Sequence, residues 1–159
     1  MNPTYIINYH DFSVDELCQY LEERCYSKIL LDMESIQECL LQMIDTEDSE
    51  LLNILHVVFF QLQTEVKQLF TKDRIILFRH IKSRTETPIN LIPISQIHQK
   101  INTIMMQLRK LLNNYVQQPD WSNAFKICFN ELYLLEQSLQ HVLYLKENFL
   151  WTQVNKSMV

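Results

Sequence analysis

The chain of 159 residues contains no glycine, although about eleven would be expected at the usual abundance of roughly 7%. Because glycine supplies the positive φ angles of tight turns, its absence disfavours β-hairpins and excludes a glycine-rich nucleotide loop. The net charge of −5 gives no basic face for nucleic acid, and no apolar run is long enough to predict a membrane-spanning helix.

The first half of the chain predicts two long helices. The first covers about residues 13–44 and opens at a capping box, in which Ser13 caps the backbone and Glu16 reaches back. Polar residues at 45–49 predict a turn, and the second helix follows at 49–81. Residues 51–60 are apolar on nearly all sides, which predicts deep burial. The apolar stripe of the first helix consists of Leu17, Leu21, Cys25, Leu30, Met33, Ile36, Leu40 and Met43.

The second half predicts two further helices after a break at about residues 83–94, where Thr85, Thr87, Pro88 and Pro93 favour extended backbone. The third helix covers 95–117, and the fourth covers 120–154 with Asp120 as its cap. The third has a heptad seam of Ile97, Ile101, Ile104, Leu108, Leu111 and Tyr115. The stripe of the fourth consists of Phe125, Cys128, Leu132, Leu135, Leu139, Val142, Leu145 and Phe149.

Four helices with short connections predict an all-α fold, an up-down-up-down four-helix bundle that forms one domain over residues 1–159. Most aromatic side chains are expected in its core, with an exposed docking patch as the alternative. Those considered are Phe59, Phe60, Phe70, Phe78, Phe149 and Trp151.

Cysteine usage and the N-terminal residues indicate a cytoplasmic protein. Residues 1–11 lack the basic and apolar regions of a signal peptide. The cysteines form no Cys-x-x-Cys pair, and we expect them to be free and buried. They are Cys18, Cys25, Cys39 and Cys128.

Motifs that carry catalysis or bind metal are missing from the sequence. None of the histidines has a glutamate or histidine at the helical spacing that metal-binding bundles use. Without glycine there is no nucleophile elbow, and no Ser/His/Asp set can be assembled. The residues alone therefore predict a protein that is not an enzyme. The histidines are His10, His56, His80, His98 and His141.

Four stretches of the chain, taken in order, resemble the hemerythrin-like proteins, and most closely the di-iron proteins of iron–sulfur cluster repair. The first runs from Ile7-Asn8-Tyr9 to Leu21, and the second is Lys72–Phe78. The third pairs Ile97-His98 with Leu108-Arg109, and the fourth is Leu145–Trp151. The resemblance implies a four-helix bundle that holds two irons through histidines and bridging carboxylates.

Most of the ligand positions that the resemblance implies are occupied by other residues in this chain. Only Asp73 and His98 keep a usable ligand, and a lysine, Lys146, stands where a bridging glutamate is implied. Cys25 falls on the histidine position of the first helix, directly before Tyr26. The remaining implied positions fall near Ile44 and on Leu69 and Val142. We therefore expect a degenerate site with no metal cofactor, whose vestigial positions are Cys25, Asp73, His98 and Lys146.

The interpretation that follows is a non-enzymatic hemerythrin-like bundle that acts as a binding or regulatory module. We expect Asp73 and Lys146 to approach each other in the vacated centre, with His98 nearby. Two alternatives stay open: an active di-iron protein of iron–sulfur cluster repair or of nitric-oxide and oxygen response, and an unrelated helical interaction protein. An unidentified protein partner is expected, a homodimer is left open, and neither nucleic acid nor membrane is expected as a partner.

Overall fold

The computed structural model describes residues 7–84 and 87–156, and within these ranges every regular element is helical. Four long helices dominate: α1 at 14–46, α2 at 50–83, α3 at Ile92–Leu111 and α4 at 123–156. Short 3₁₀ turns lie at Tyr9–Asp11 and Asn113–Tyr115. The prediction of an all-α protein with four long helices is confirmed.

Three of the four helices contain a π-helical turn. Leu21–Tyr26 forms it in α1, Asp73–Phe78 in α2, and Lys146–Leu150 in α4, whereas α3 has none. Each flanking segment is a regular α-helix. Because a π-turn inserts an extra residue into the helix, the side chains that face the core shift along the sequence beyond it.

Serine side chains cap three of the helix N-termini. Ser13 accepts a hydrogen bond from the backbone of Glu16, as predicted, and Ser49 accepts one from the backbone of Leu52. At α4 the predicted cap was wrong. Ser122 rather than Asp120 accepts the bond from the backbone of Phe125, so the helix begins at Asn123.

Helix α3 is displaced towards the N-terminus relative to the predicted range of 95–117. It begins at Ile92, with Pro93 in its first turn, where the missing N–H of proline is tolerated. It ends at Leu111, since Asn113, Asn114 and Tyr115 have positive φ angles that no right-handed helix contains. The predicted break at 83–94 is correspondingly shorter, and its residues 85–86 lie outside the described part.

The helices pack so that α1 contacts both α2 and α4, while α2 also contacts α3. The first segment of α1, Val14–Tyr20, lies against the last segment of α2, Arg79–Ser83. Buried residues from all four helices form one hydrophobic core. Most of the predicted stripes belong to it.

The outer side of α2 departs from the prediction of deep burial for residues 51–60. Leu52, Leu55 and Phe59 are buried, but Val57 is 56% exposed and Phe60 is 59% exposed. A helix at the surface of a bundle turns only one stripe towards its neighbours, so apolar residues on the other side face solvent. Among the other aromatics considered, Phe70 and Phe78 are buried, whereas Phe149 and Trp151 are half-buried.

Candidate functional site

A buried ion pair joins α2 to α4 at the level of the π-helical turns. Lys146 Nζ lies 2.7 Å from Asp73 Oδ2, and both side chains are completely buried. The Tyr26 hydroxyl of α1 donates to the same carboxylate oxygen over 2.7 Å. Asp73 and Lys146 are the first residues of their π-turns and Tyr26 is the last residue of its own, so the irregular turns supply all three side chains.

His98 of α3 extends this arrangement towards the surface. Lys146 Nζ is 2.7 Å from His98 Nε2, and His98 Nδ1 is 3.0 Å from Glu147 Oε1. Because an ammonium group only donates, we assign the lone pair of His98 to Nε2 and its proton to Nδ1. Burial and the neighbouring Lys146 charge lower the pKa of His98 to about 2, so the imidazole is neutral near pH 7.

Together Tyr26, Asp73, Lys146, His98 and Glu147 form a continuous hydrogen-bonded series, which we call the buried polar chain. It runs from the 43% exposed side chain of Glu147 to the fully buried Tyr26. Aromatic rings pack against Tyr26 and against His98. The Tyr26 ring stacks on Phe70 at 3.8 Å between centroids, and Trp151 lies 4.6 Å from the imidazole of His98.

Burial dominates the electrostatics of the central pair. It raises the pKa of Asp73, against the lowering effect of Lys146, and it lowers the pKa of Lys146, against the raising effect of Asp73. Burial thus acts against the charged form of each group, and the contact of 2.7 Å between the two groups acts in the opposite direction. Asp73 Oδ1 has no hydrogen-bond partner among the described residues, so the carboxylate is bonded through one oxygen only.

The structure brings together three of the four candidate site residues named from the sequence. The expected approach of Asp73 and Lys146 is confirmed, and His98 lies beside them. Cys25 does not join them: its thiol is buried and interacts with the Tyr20 hydroxyl. The neighbouring residue, Tyr26, occupies that place instead.

Glu147 was missed by the sequence reasoning. It directly follows Lys146, and consecutive residues of a regular α-helix point about 100° apart, so no helical spacing related them. The π-turn of α4 lets both side chains reach His98. An irregular turn of this kind has no signal in the periodicity of the sequence.

The atoms of the buried polar chain that could ligate a metal ion lie next to an ammonium group. Asp73 Oδ2 and His98 Nε2 are oxygen and nitrogen atoms of the types that bind metals, yet each lies 2.7 Å from Lys146 Nζ. Nowhere in the described ranges do three His, Cys, Asp or Glu side chains form a group that could hold a metal ion. The neighbouring positions Leu69 and Val142 supply only apolar, buried side chains.

Comparison of the sequence with known proteins finds no matching family model and no matching curated protein. Among the described residues, no helix is long and apolar enough to cross a membrane.

A second charged cluster joins α3 to α4. Arg109 Nε donates to Glu136 Oε1, which also accepts a bond of 3.2 Å from Gln140. Glu136 is 3% exposed, but Arg109 is 39% exposed. Burial and the nearby Glu136 carboxylate raise the pKa of Tyr115 above its ordinary value. This cluster is therefore open to water on the arginine side.

Proposed function

We propose that this protein is a hemerythrin-like bundle of up-down-up-down topology that works without metal as a non-enzymatic binding or regulatory module. The observation that carries the proposal is the position of Lys146 Nζ, which lies 2.7 Å from both Asp73 Oδ2 and His98 Nε2. The tethered ammonium group supplies a positive charge between two atoms that could otherwise ligate a metal cation.

The proposed topology is supported by the connections and contacts of the helices. Only residues 47–49 separate α1 from α2, and a connection this short is typical of antiparallel neighbours. The contact between Val14–Tyr20 and Arg79–Ser83 joins the start of α1 to the end of α2, as an antiparallel pair requires.

A non-enzymatic role is supported by the lack of access to the polar centre. Tyr26, Asp73 and Lys146 are each 0% exposed, and His98 is 2% exposed. A catalytic group must lie within hydrogen-bond reach of its substrate, and these groups are reached only by one another and by Glu147. No observation favours the di-iron alternative, because Lys146 Nζ lies 2.7 Å from both Asp73 Oδ2 and His98 Nε2, where a metal ion bound to these two atoms would have to lie.

A cytoplasmic protein that binds another protein is consistent with two further features. All four cysteines are free, which suits a reducing compartment. The exposed apolar side chains of α2, Val57 and Phe60, suit a protein partner or a second copy of the chain. Sedimentation equilibrium of the purified protein distinguishes a monomer from a homodimer.

Metal analysis of matched variants tests the proposal. The wild-type protein, grown with added iron, is expected to contain no stoichiometric metal. Lys146→Glu restores a carboxylate beside Asp73 and His98, so we expect its melting temperature to rise on addition of a divalent metal. Lys146→Met removes the same ammonium group without adding a ligand, and its melting temperature should not respond to metal.

Either of two results would contradict the proposal. Stoichiometric iron in the wild-type protein would mean that the ligands lie elsewhere and that the protein is a di-iron protein. A Lys146→Glu protein that responds to metal no more than Lys146→Met would mean that this centre is not a vestigial metal site.

A further inference from the structure

A small pocket opens on the outside of the bundle between α1 and α4. Its volume is about 190 Å³, and its buried floor is formed by Cys25 and Ile29. Arg24 and Lys28 line it from α1, while His141 lines it from α4. The residues of the buried polar chain do not line it, so the pocket is separate from the centre described above.

The two charged side chains that line this pocket are both basic, although the chain as a whole has a net charge of −5. Arg24 and Lys28 are four residues apart and so lie on one face of α1, and none of the described lining residues is acidic. Lys28 forms an ion pair with Asp32 at 2.8 Å, but both side chains are exposed, and such pairs are weak. Arg24 has no ion pair or hydrogen bond with any described residue.

His141 adds a neutral hydrogen-bond donor. The Tyr9 hydroxyl lies 2.9 Å from His141 Nε2. With that hydroxyl donating, we assign the imidazole proton to Nδ1, which no other described residue bonds. Burial lowers the pKa of His141, so the ring keeps this single proton near neutral pH. The adjacent Ser138 on α4 contributes a hydroxyl to the same wall.

The volume limits what this set of donors can hold. Pockets for drug-sized molecules have volumes of about 300–1,000 Å³, and this one is smaller, at about 190 Å³. We propose that the pocket binds a small tetrahedral oxyanion, held by Arg24 and Lys28 from one side and by His141 from the other. The shared chemistry is that of inorganic phosphate and of the terminal phosphoryl group of a phosphate ester.

Titration of isotopically labelled protein with inorganic phosphate, followed by NMR, tests this proposal. We expect saturable shifts at Ser138 and His141 with a Kd on the order of 1 mM. Arg24→Gln combined with Lys28→Gln should raise the Kd about tenfold or more, because charge-assisted hydrogen bonds are lost. The matched control is Lys67→Gln combined with Lys110→Gln, which removes two exposed charges from α2 and α3 and should change the Kd less than about twofold.

Two further ligands distinguish the sources of the phosphoryl group. Glycerol 3-phosphate that binds more tightly than inorganic phosphate supports an ester as the ligand, and equal or weaker binding supports the free anion. Acetate that binds as well as phosphate would overturn the assignment to a tetrahedral oxyanion. The absence of saturable shifts in the wild-type protein, or an equal loss of affinity in the two double variants, would overturn the site itself.

Discussion

Two charged pairs with a buried carboxylate join helices in the described part of the chain, and they differ in how far the basic partner is exposed to solvent. Asp73 and Lys146 are both 0% exposed, and their remaining contacts are the Tyr26 hydroxyl and the neutral imidazole of His98. Glu136 is buried to a similar degree, but its partner Arg109 is 39% exposed. Only the first pair is therefore withdrawn from solvent on both sides.

This difference determines what the loss of one partner does. A charge left alone in a buried site keeps its full desolvation penalty. A carboxylate whose partner side chain is exposed can be rehydrated when that partner is removed, and its field is screened. For the fully buried pair, Asp73 and Lys146, single substitutions are thus expected to lower the free energy of unfolding strongly, and replacement of both residues only weakly. For the half-exposed pair, Arg109 and Glu136, single and joint substitutions should each lower the free energy of unfolding only modestly.

The largest effect is expected for Lys146→Met, which leaves the Asp73 carboxylate buried without a positive partner. We expect a loss of about 3–5 kcal/mol in the free energy of unfolding. The double variant Asp73→Leu with Lys146→Met should recover most of this loss, because two apolar side chains fill a similar volume. Urea unfolding of the wild-type protein, both single variants and the double variant gives the coupling energy.

Additive effects in this double-mutant cycle, with each single variant within about 0.5 kcal/mol of wild type, would contradict the full burial of this pair. They would mean that both side chains are solvated in solution.

Tyr26→Phe removes one hydrogen bond to the Asp73 carboxylate while it retains the ring that stacks on Phe70. A hydrogen bond to a charged group contributes about 1.5–3 kcal/mol, and a loss in this range is expected in urea unfolding. The matched control is Tyr133→Phe, whose side chain is 41% exposed and should change the stability by less than about 0.5 kcal/mol. Equal effects in the two variants would show that the Tyr26 hydroxyl does not bond to Asp73.

The pH dependence of stability tests the neutral state of His98. In the folded protein the pKa of His98 is lowered to about 2. Below about pH 6.5, His98 is therefore protonated in the unfolded chain but stays neutral in the folded protein. The free energy of unfolding should therefore decrease as the pH is lowered. His98 alone should account for about 2 kcal/mol of this decrease between pH 7 and pH 5. In His98→Gln the decline should be smaller by that amount.

His141 and Asp73 titrate in both proteins, so their contributions cancel in this difference to a first approximation. The signs differ between them: the lowered pKa of His141 destabilises the fold in acid, whereas the raised pKa of Asp73 opposes acid destabilisation. An identical decrease in the free energy of unfolding of the wild-type and His98→Gln proteins would contradict this prediction. It would mean that His98 takes up its proton in the folded protein as readily as in the unfolded chain.

The smallest effect is expected for Arg109→Gln in the half-exposed pair. Gln140 still donates to Glu136, and water enters where the guanidinium was, so we expect a loss of about 1 kcal/mol. Urea unfolding at low and high salt measures it, and the difference from wild type should shrink as salt screens the pair. A loss as large as that of Lys146→Met would abolish the distinction between the two pairs.

The residue of α1 that faces the buried centre, Tyr26, could not be predicted from the periodicity of the sequence. The predicted stripe of α1 continues from Cys25 to Leu30, a step of five residues. In the structure Tyr26 and Ile29 occupy the core between them, and Leu30 is only half-buried. The same shift occurs in α4, where Leu150 rather than Phe149 is fully buried. Both changes coincide with a π-turn.

Three residues of the candidate site could be predicted from the sequence. Asp73, His98 and Lys146 were found because their positions matched the stretches that resemble hemerythrin-like proteins, and a lysine in place of a carboxylate suggested a self-neutralising pair. Tyr26 and Glu147 could not be identified, since their roles depend on turns whose register follows from packing rather than from local spacing.

The amino-acid sequence by itself determined the helical class, the approximate lengths of the helices and most of the core, because glycine is absent and apolar residues recur with the helical period. Serine caps at Ser13 and Ser49 were also local properties. Tertiary structure alone decided the order of contacts in the buried polar chain and the exposure of Phe60. Both depend on which faces of four helices meet, and that choice is made by the burial of the whole core rather than by any single segment.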